Sequence, residues 1–133
     1  NLMRHKKQLK IIDTQDALIG NKAYDLASLI DDVRFKSNKK LKDNIYNYYL
    51  KLSKNKVNKV ILLNDFEILS VIRNMKIIGI FARLAARDKK KTYLKLIPYA
   101  WKLIELRTQN NLIFDGLKRV LDINFSKKIR NIK

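Results

Sequence analysis

Cysteine is absent from the 133 residues, which removes a disulfide framework, a thiolate metal site and a cysteine nucleophile in one step. The pattern fits a reducing compartment, and a cytoplasmic location is the expectation. Histidine occurs once, as His5 in a basic turn, so HExxH zinc chemistry and a Ser-His-Asp hydrolase have no residues to be built from. Neither GxSxG nor the phosphate loop GxxxxGK[ST] is present. The longest apolar stretch, Ile77 to Ala86, is interrupted by Arg83 and is about half of the roughly 20 residues that cross a bilayer. No transmembrane segment is expected, and the polar, basic opening from Asn1 to Lys10 has no signal-peptide core.

Acidic residues are scarce: 12 against 30 lysines and arginines, a net charge of +18. Such a balance attracts phosphate, whether in nucleic acid, anionic lipid or nucleotide. The lysines are spread along the whole chain and not gathered with aromatics, so a solvated surface is the main reading. A basic helical module that binds nucleic acid or an acidic partner is the alternative.

Length and a hydrophobic content of 47% suit one domain with a core of its own, and no repeat or glycine-rich linker marks an internal boundary. Short apolar runs on either side of Arg4 to Gln8 predict a small β-hairpin, Asn1–Met3 against Leu9–Ile12. From there the apolar spacing is helical. Leu26, Leu29, Ile30 and Val33 predict a helix over 22–34, and Leu41, Ile45, Tyr48, Tyr49 and Leu52 a second over 38–54. Asn64 and Glu67 resemble a capping box and predict the start of a third, over 65–87, whose apolar residues cover most of its circumference. It should be the central core helix. Its basic stripe, Arg73, Lys76, Arg83 and Arg87, faces water or a substrate cleft. A fourth helix, 93–108, is expected to be capped by Thr92 and to kink or break near Leu94, ahead of Pro98. A last helix spans 112–122, and the tail 127–133 is expected to fray. The fold class is therefore mainly α: a short N-terminal hairpin followed by a helical bundle.

Among the few carboxylates, Asp13, Asp16 and Asp25 stand together, at the end of a hairpin strand and the start of the first helix. A carboxylate fixed at the end of an apolar strand is placed as a magnesium ligand must be, although Asp13 and Asp16 could equally build a turn and Asp25 favour a helix N-terminus.

The segment IIDTQDALIGNKAYDLASLIDDVR, residues 11–34, resembles the stretch after the catalytic loop in aminoglycoside phosphotransferase and choline-kinase-like enzymes. It is most similar to the bacterial anomeric kinases of N-acetylmuramate and N-acetylglucosamine, in which an IDFQDAL...YDLxSLL string is typical. MKIIGIFARLAARDKKKTYLKLIPYAW, residues 75–101, is similar to the helical C-terminal region of that subgroup. The resemblance extends to about Asp122 and implies the C-terminal lobe of a protein-kinase-like fold, with residues 1–133 forming a single partial domain.

By that resemblance, Asp13 matches the metal-binding Asp of the DFG-like motif, and Asn1 matches the Asn that closes the catalytic loop and binds the same metal site. Asp25 matches the helical Asp that supports the catalytic loop, while Arg83 and Arg87 become candidates for contact with the acceptor. Magnesium, ATP and a sugar acceptor are implied for the complete enzyme. Thr14 departs from the common Phe, and Gln15 stands where protein kinases have Gly, as is usual in the subgroup. The HxDxxxxN catalytic Asp, the glycine-rich loop, the phosphate-binding Lys and its Glu partner have no counterpart among these residues. No catalytic base is therefore assigned, no turnover by the chain alone is expected, and a complementary N-terminal polypeptide is a possible partner.

Overall fold

A computed structural model describes residues 2–12, 18–54 and 56–131. Two short strands, β1 (Leu2–His5) and β2 (Gln8–Ile11), pair antiparallel with Leu2 opposite Ile11 and His5 opposite Gln8. The turn between them holds Lys6 at φ 54°, a left-handed conformation that costs a side chain some strain in exchange for a tight reversal. Helices follow: α1 (Ala23–Ile30), α2 (Lys39–Leu52), α3 (Lys59–Arg87), a 3-10 segment (Lys91–Leu96), α4 (Ile97–Thr108), a 3-10 turn (Leu112–Phe114), α5 (Asp115–Asn124) and α6 (Lys127–Arg130). The hairpin-then-helices order matches the sequence expectation.

The 29 residues of α3 make a rod about 43 Å long that passes through two cores. Its N-terminal half buries Leu62 and Phe66 against Ala23, Leu26, Ala27 and Ile30 of α1, with Ile45, Tyr46 and Tyr49 of α2 at the margin. From Val71 onward it buries Val71 and Phe81 against Ile97, Ala100, Trp101, Leu103 and Ile104 of α4, closed by Phe114 and Leu121. The central role expected for this helix is what the packing shows.

Its start is not where the capping box pointed. Asn58, and not Asn64, caps α3: the Asn58 carboxamide oxygen accepts from the Val60 and Ile61 amides at 3.0 and 3.1 Å. Residues 59–63 are a nearly continuous apolar run whose period is unreadable in isolation, and burial of Leu62 one turn before Phe66 extends the helix back through them. At the far end the amides of Asp88 and Lys90 both donate to Leu84 O, with Lys89 at φ 56° reversing the chain. Thr92 lies inside the 3-10 segment and caps nothing, and Pro98 sits in the first turn of α4, where its missing N–H is no loss. The break expected ahead of Pro98 takes the form of that 3-10 segment. The first helix also stops earlier than its periodicity suggested, at Ile30, where Asp31 leaves helical geometry as the C-cap at φ −108° and ψ 39°.

The basic tail does not simply fray. Arg130 is 8% exposed and stacks over the Trp101 ring with its guanidinium carbon 5.0 Å from the ring centre. It donates to Phe125 O (2.9 Å), Glu105 (3.1 Å) and Asp122 (2.6 Å). Arginine's planar fork can satisfy three acceptors while its face covers an aromatic ring, which makes α6 a clasp on α4. Arg130→Ala should lower stability by about 2 kcal/mol. Arg130→Lys should recover less than half of that loss, measured by urea titration of Trp101 fluorescence; full recovery by lysine would show that charge alone holds the tail.

Candidate functional site

Asn1, Asp13 and Asp16 lie outside the described residues. The described strands end at Leu2 and Ile11, which pair with one another, so the chain enters and leaves the hairpin at one end, next in sequence to Asn1 and two residues before Asp13. Asp25 is exposed in the first turn of α1, where a carboxylate favours the helix N-terminus. Arg83 and Arg87 are exposed near the C-terminal end of α3, and Arg87 forks onto Asp88 at 2.6 and 3.1 Å. Arg83 is seventeen residues, about 25 Å, along α3 from Phe66, which packs on α1. The structure therefore does not bring the two arginines to Asp25. Among the described residues no cluster of three His, Asp or Glu side chains could hold a metal ion.

The densest polar constellation is one that sequence reasoning missed. Asp31, fully buried, accepts from Lys42 Nζ at 2.8 Å and Arg107 Nη2 at 3.1 Å through one oxygen. Its other oxygen accepts from Ser70 Oγ at 2.6 Å and Arg107 Nε at 2.8 Å. Lys42, 5% exposed, also donates to Ile30 O at 2.6 Å, and the Arg107 guanidinium lies 4.7 Å from the centre of the Phe66 ring. Asn74, fully buried one turn beyond Ser70, donates to Ser70 O at 2.9 Å. One carboxylate thus joins the end of α1 to α2, α3 and α4.

Burial by itself pushes the Asp31 carboxyl up, but the hydrogen bond and charge of Arg107, then Lys42 and Ser70, outweigh it and hold it below the usual 3.8. With four donors on two oxygens it has no lone pair aimed at a substrate. It braces the fold and cannot serve as a general base. Beside it Asp32 pairs with Arg34 at 2.7 Å, and that hydrogen bond, set against burial, keeps its carboxyl low as well. Arg73, on the stripe singled out from the sequence, is half-buried and adds its charge to Asp32.

A readable signal for this brace existed. Ala23, Ala27 and Asp31 are spaced by four on the buried stripe of α1, Lys42 falls in line with Ile45, Tyr46 and Tyr49, and Phe66, Ser70 and Asn74 are spaced by four on α3. A polar residue on an apolar stripe needs a partner inside.

No family model matches the chain, and no solved structure matches it. Three curated proteins do, each named N-acetylmuramate/N-acetylglucosamine kinase. The protein of Caulobacter vibrioides is 29% identical over 96 residues, 72% of this chain and 26% of its own length. That of Neisseria meningitidis is 34% identical over 103 residues, 74% and 31% of the two chains. That of Pseudomonas aeruginosa is 32% identical over 111 residues, 79% and 32%. The chain is thus similar, over about three quarters of its length, to three bacterial proteins named N-acetylmuramate/N-acetylglucosamine kinase, and it spans about a quarter to a third of theirs.

Proposed function

We propose that this chain is the C-terminal part of an ATP-dependent amino-sugar kinase and supplies metal-binding residues and part of the acceptor side, with the phosphate-binding lobe and catalytic base provided elsewhere. The observation that carries this reading is the sequence match to three kinases of one name over roughly three quarters of the chain. The order of elements, a hairpin and then helices, is compatible with the C-terminal lobe of a kinase-like fold.

In this reading Asn1 and Asp13, one residue before β1 and two residues after β2 in sequence, hold magnesium. An amide oxygen and a carboxylate are hard donors of the kind that ion takes, alongside nucleotide phosphates and water. The ion would offset the negative charge on the transferring phosphoryl group. Asp25 supports the neighbouring catalytic loop from the first turn of α1. Arg83 is available to an anionic acceptor as it stands, and Arg87 becomes so by leaving Asp88, a surface pair whose rupture costs little. The Asp31 brace fixes the end of α1, the helix that carries Asp25, against α3 and α4.

The test is to express the complete reading frame that contains these residues and assay it with ATP and N-acetylmuramate or N-acetylglucosamine, with and without magnesium. Metal-dependent formation of the sugar phosphate is the expected result, with no turnover by residues 1–133 alone. Absence of transfer to either sugar, combined with salt-sensitive retention on nucleic acid, would favour the basic binding module instead.

A further inference from the structure

The end of α1 is short of negative charge. Two carboxylates, Asp31 and Asp32, stand there against four cations, Lys42 and Arg107 at the first and Arg34 and Arg73 at the second. Arg34 takes both oxygens of Asp32, through Nε at 3.0 Å and Nη2 at 2.7 Å. Arg73 of α3 is the cation left over. It lies close enough to Asp32 to act on it by charge, and its Nη1 is buried with no hydrogen-bond partner among the described residues. A guanidinium cannot shed its proton, and an N–H held away from water without an acceptor is costly. Arg73 as a whole is only half-buried, and Lys76, one turn further along the same stripe, is exposed. The side chain can therefore be reached from outside while part of its hydrogen-bonding capacity goes unused.

We infer that Arg73 is a specificity residue that receives the carboxylate of an acidic amino-sugar acceptor. This rests on the kinase reading and deepens it. Of the two sugars named for the proposed activity, N-acetylmuramate carries a carboxylate on its ether side chain and N-acetylglucosamine carries none. A carboxylate supplies the acceptor that Arg73 lacks and offsets part of the surplus positive charge. The planar fork of arginine suits two carboxylate oxygens, as Arg34 already shows on Asp32. Asp32 does not compete for Arg73 as a hydrogen-bond acceptor of equal standing, because both of its oxygens are engaged by Arg34. The neutral sugar leaves the Arg73 nitrogen as it is, so the residue separates the two acceptors by charge.

Steady-state kinetics of the complete enzyme test this with N-acetylmuramate, its methyl ester and N-acetylglucosamine as acceptors. In the parent the ester should lose about 10- to 100-fold in kcat/KM relative to the acid, the usual worth of a hydrogen bond to a charged group. Arg73→Gln should lose a similar factor on the acid, change by less than about threefold on N-acetylglucosamine, and treat acid and ester alike. Arg73→Lys should recover only part of the preference, because an ammonium does not fork onto two oxygens. Equal losses on both sugars, or a glutamine variant that still prefers the acid to the ester, overturn the inference. Should Arg73→Gln fail to fold, the lysine variant decides, and an acid-to-ester ratio equal to the parent's overturns it. No transfer to any acceptor by the parent removes the kinase reading and this inference with it. Turnover of N-acetylglucosamine without discrimination between acid and ester removes the inference alone.

Discussion

Asp31→Ala should lower the unfolding free energy by about 3–5 kcal/mol, the usual consequence of removing one partner from a buried ionic cluster. Small domains have a total of about 5–15 kcal/mol, so the variant is expected to lose a large fraction of its stability while remaining measurable by urea titration. The loss comes less from the missing attraction than from what stays behind. Lys42 is 5% exposed and the Arg107 side chain 15% exposed, so both charges would remain inside without a counter-ion. Asp31→Ala combined with Lys42→Met should therefore recover part of the stability by removing one stranded charge, a departure from additivity that a double-mutant cycle in urea measures. A loss below about 1 kcal/mol for the single variant would mean that the cations reach water easily and that the brace does not hold the helices.

The same carboxylate sets an acid limit. Its folded-state pKa lies below the unfolded 3.8, so its stabilising contribution is complete well above 3.8 and is lost as pH falls through the lower folded value. Acid unfolding of the parent should steepen below 3.8, and Asp31→Asn should remove that portion of the pH dependence.

Asp13→Ala in the complete enzyme should reduce kcat about a thousandfold or more, if that carboxylate helps hold the magnesium that offsets phosphoryl charge, a contribution of several kcal/mol at 1.36 kcal/mol per decade. The helical circular dichroism of the variant should equal that of the parent, since the loss belongs to the phosphoryl-transfer step and not to folding. Raising magnesium should restore little of the rate. Retention of activity and of magnesium dependence would remove Asp13 from the metal site, whatever the fate of the family relationship. Asp25→Ala is the useful contrast, because a supporting residue should weaken the rate far less than a ligand does.

The sequence by itself determined what depends on neighbours in the chain. Helical spacing of apolar residues located the helices, the polar break at residues 4–8 located the hairpin, and the segments 11–34 and 75–101 disclosed the kinase relationship that the three relatives bear out. Tertiary structure decided what depends on distant residues. Asn58 and Asn64 are equally able to cap a helix in isolation, and burial of Leu62 under α1 selects Asn58. Arg130 reads as part of a charged tail until Trp101 is brought beneath it. Asp31 turns inward because Arg107, 76 residues away, and Lys42 meet it there. Spacing can mark a polar residue on a buried stripe, but only the assembled fold supplies the opposite charge that makes its burial stable.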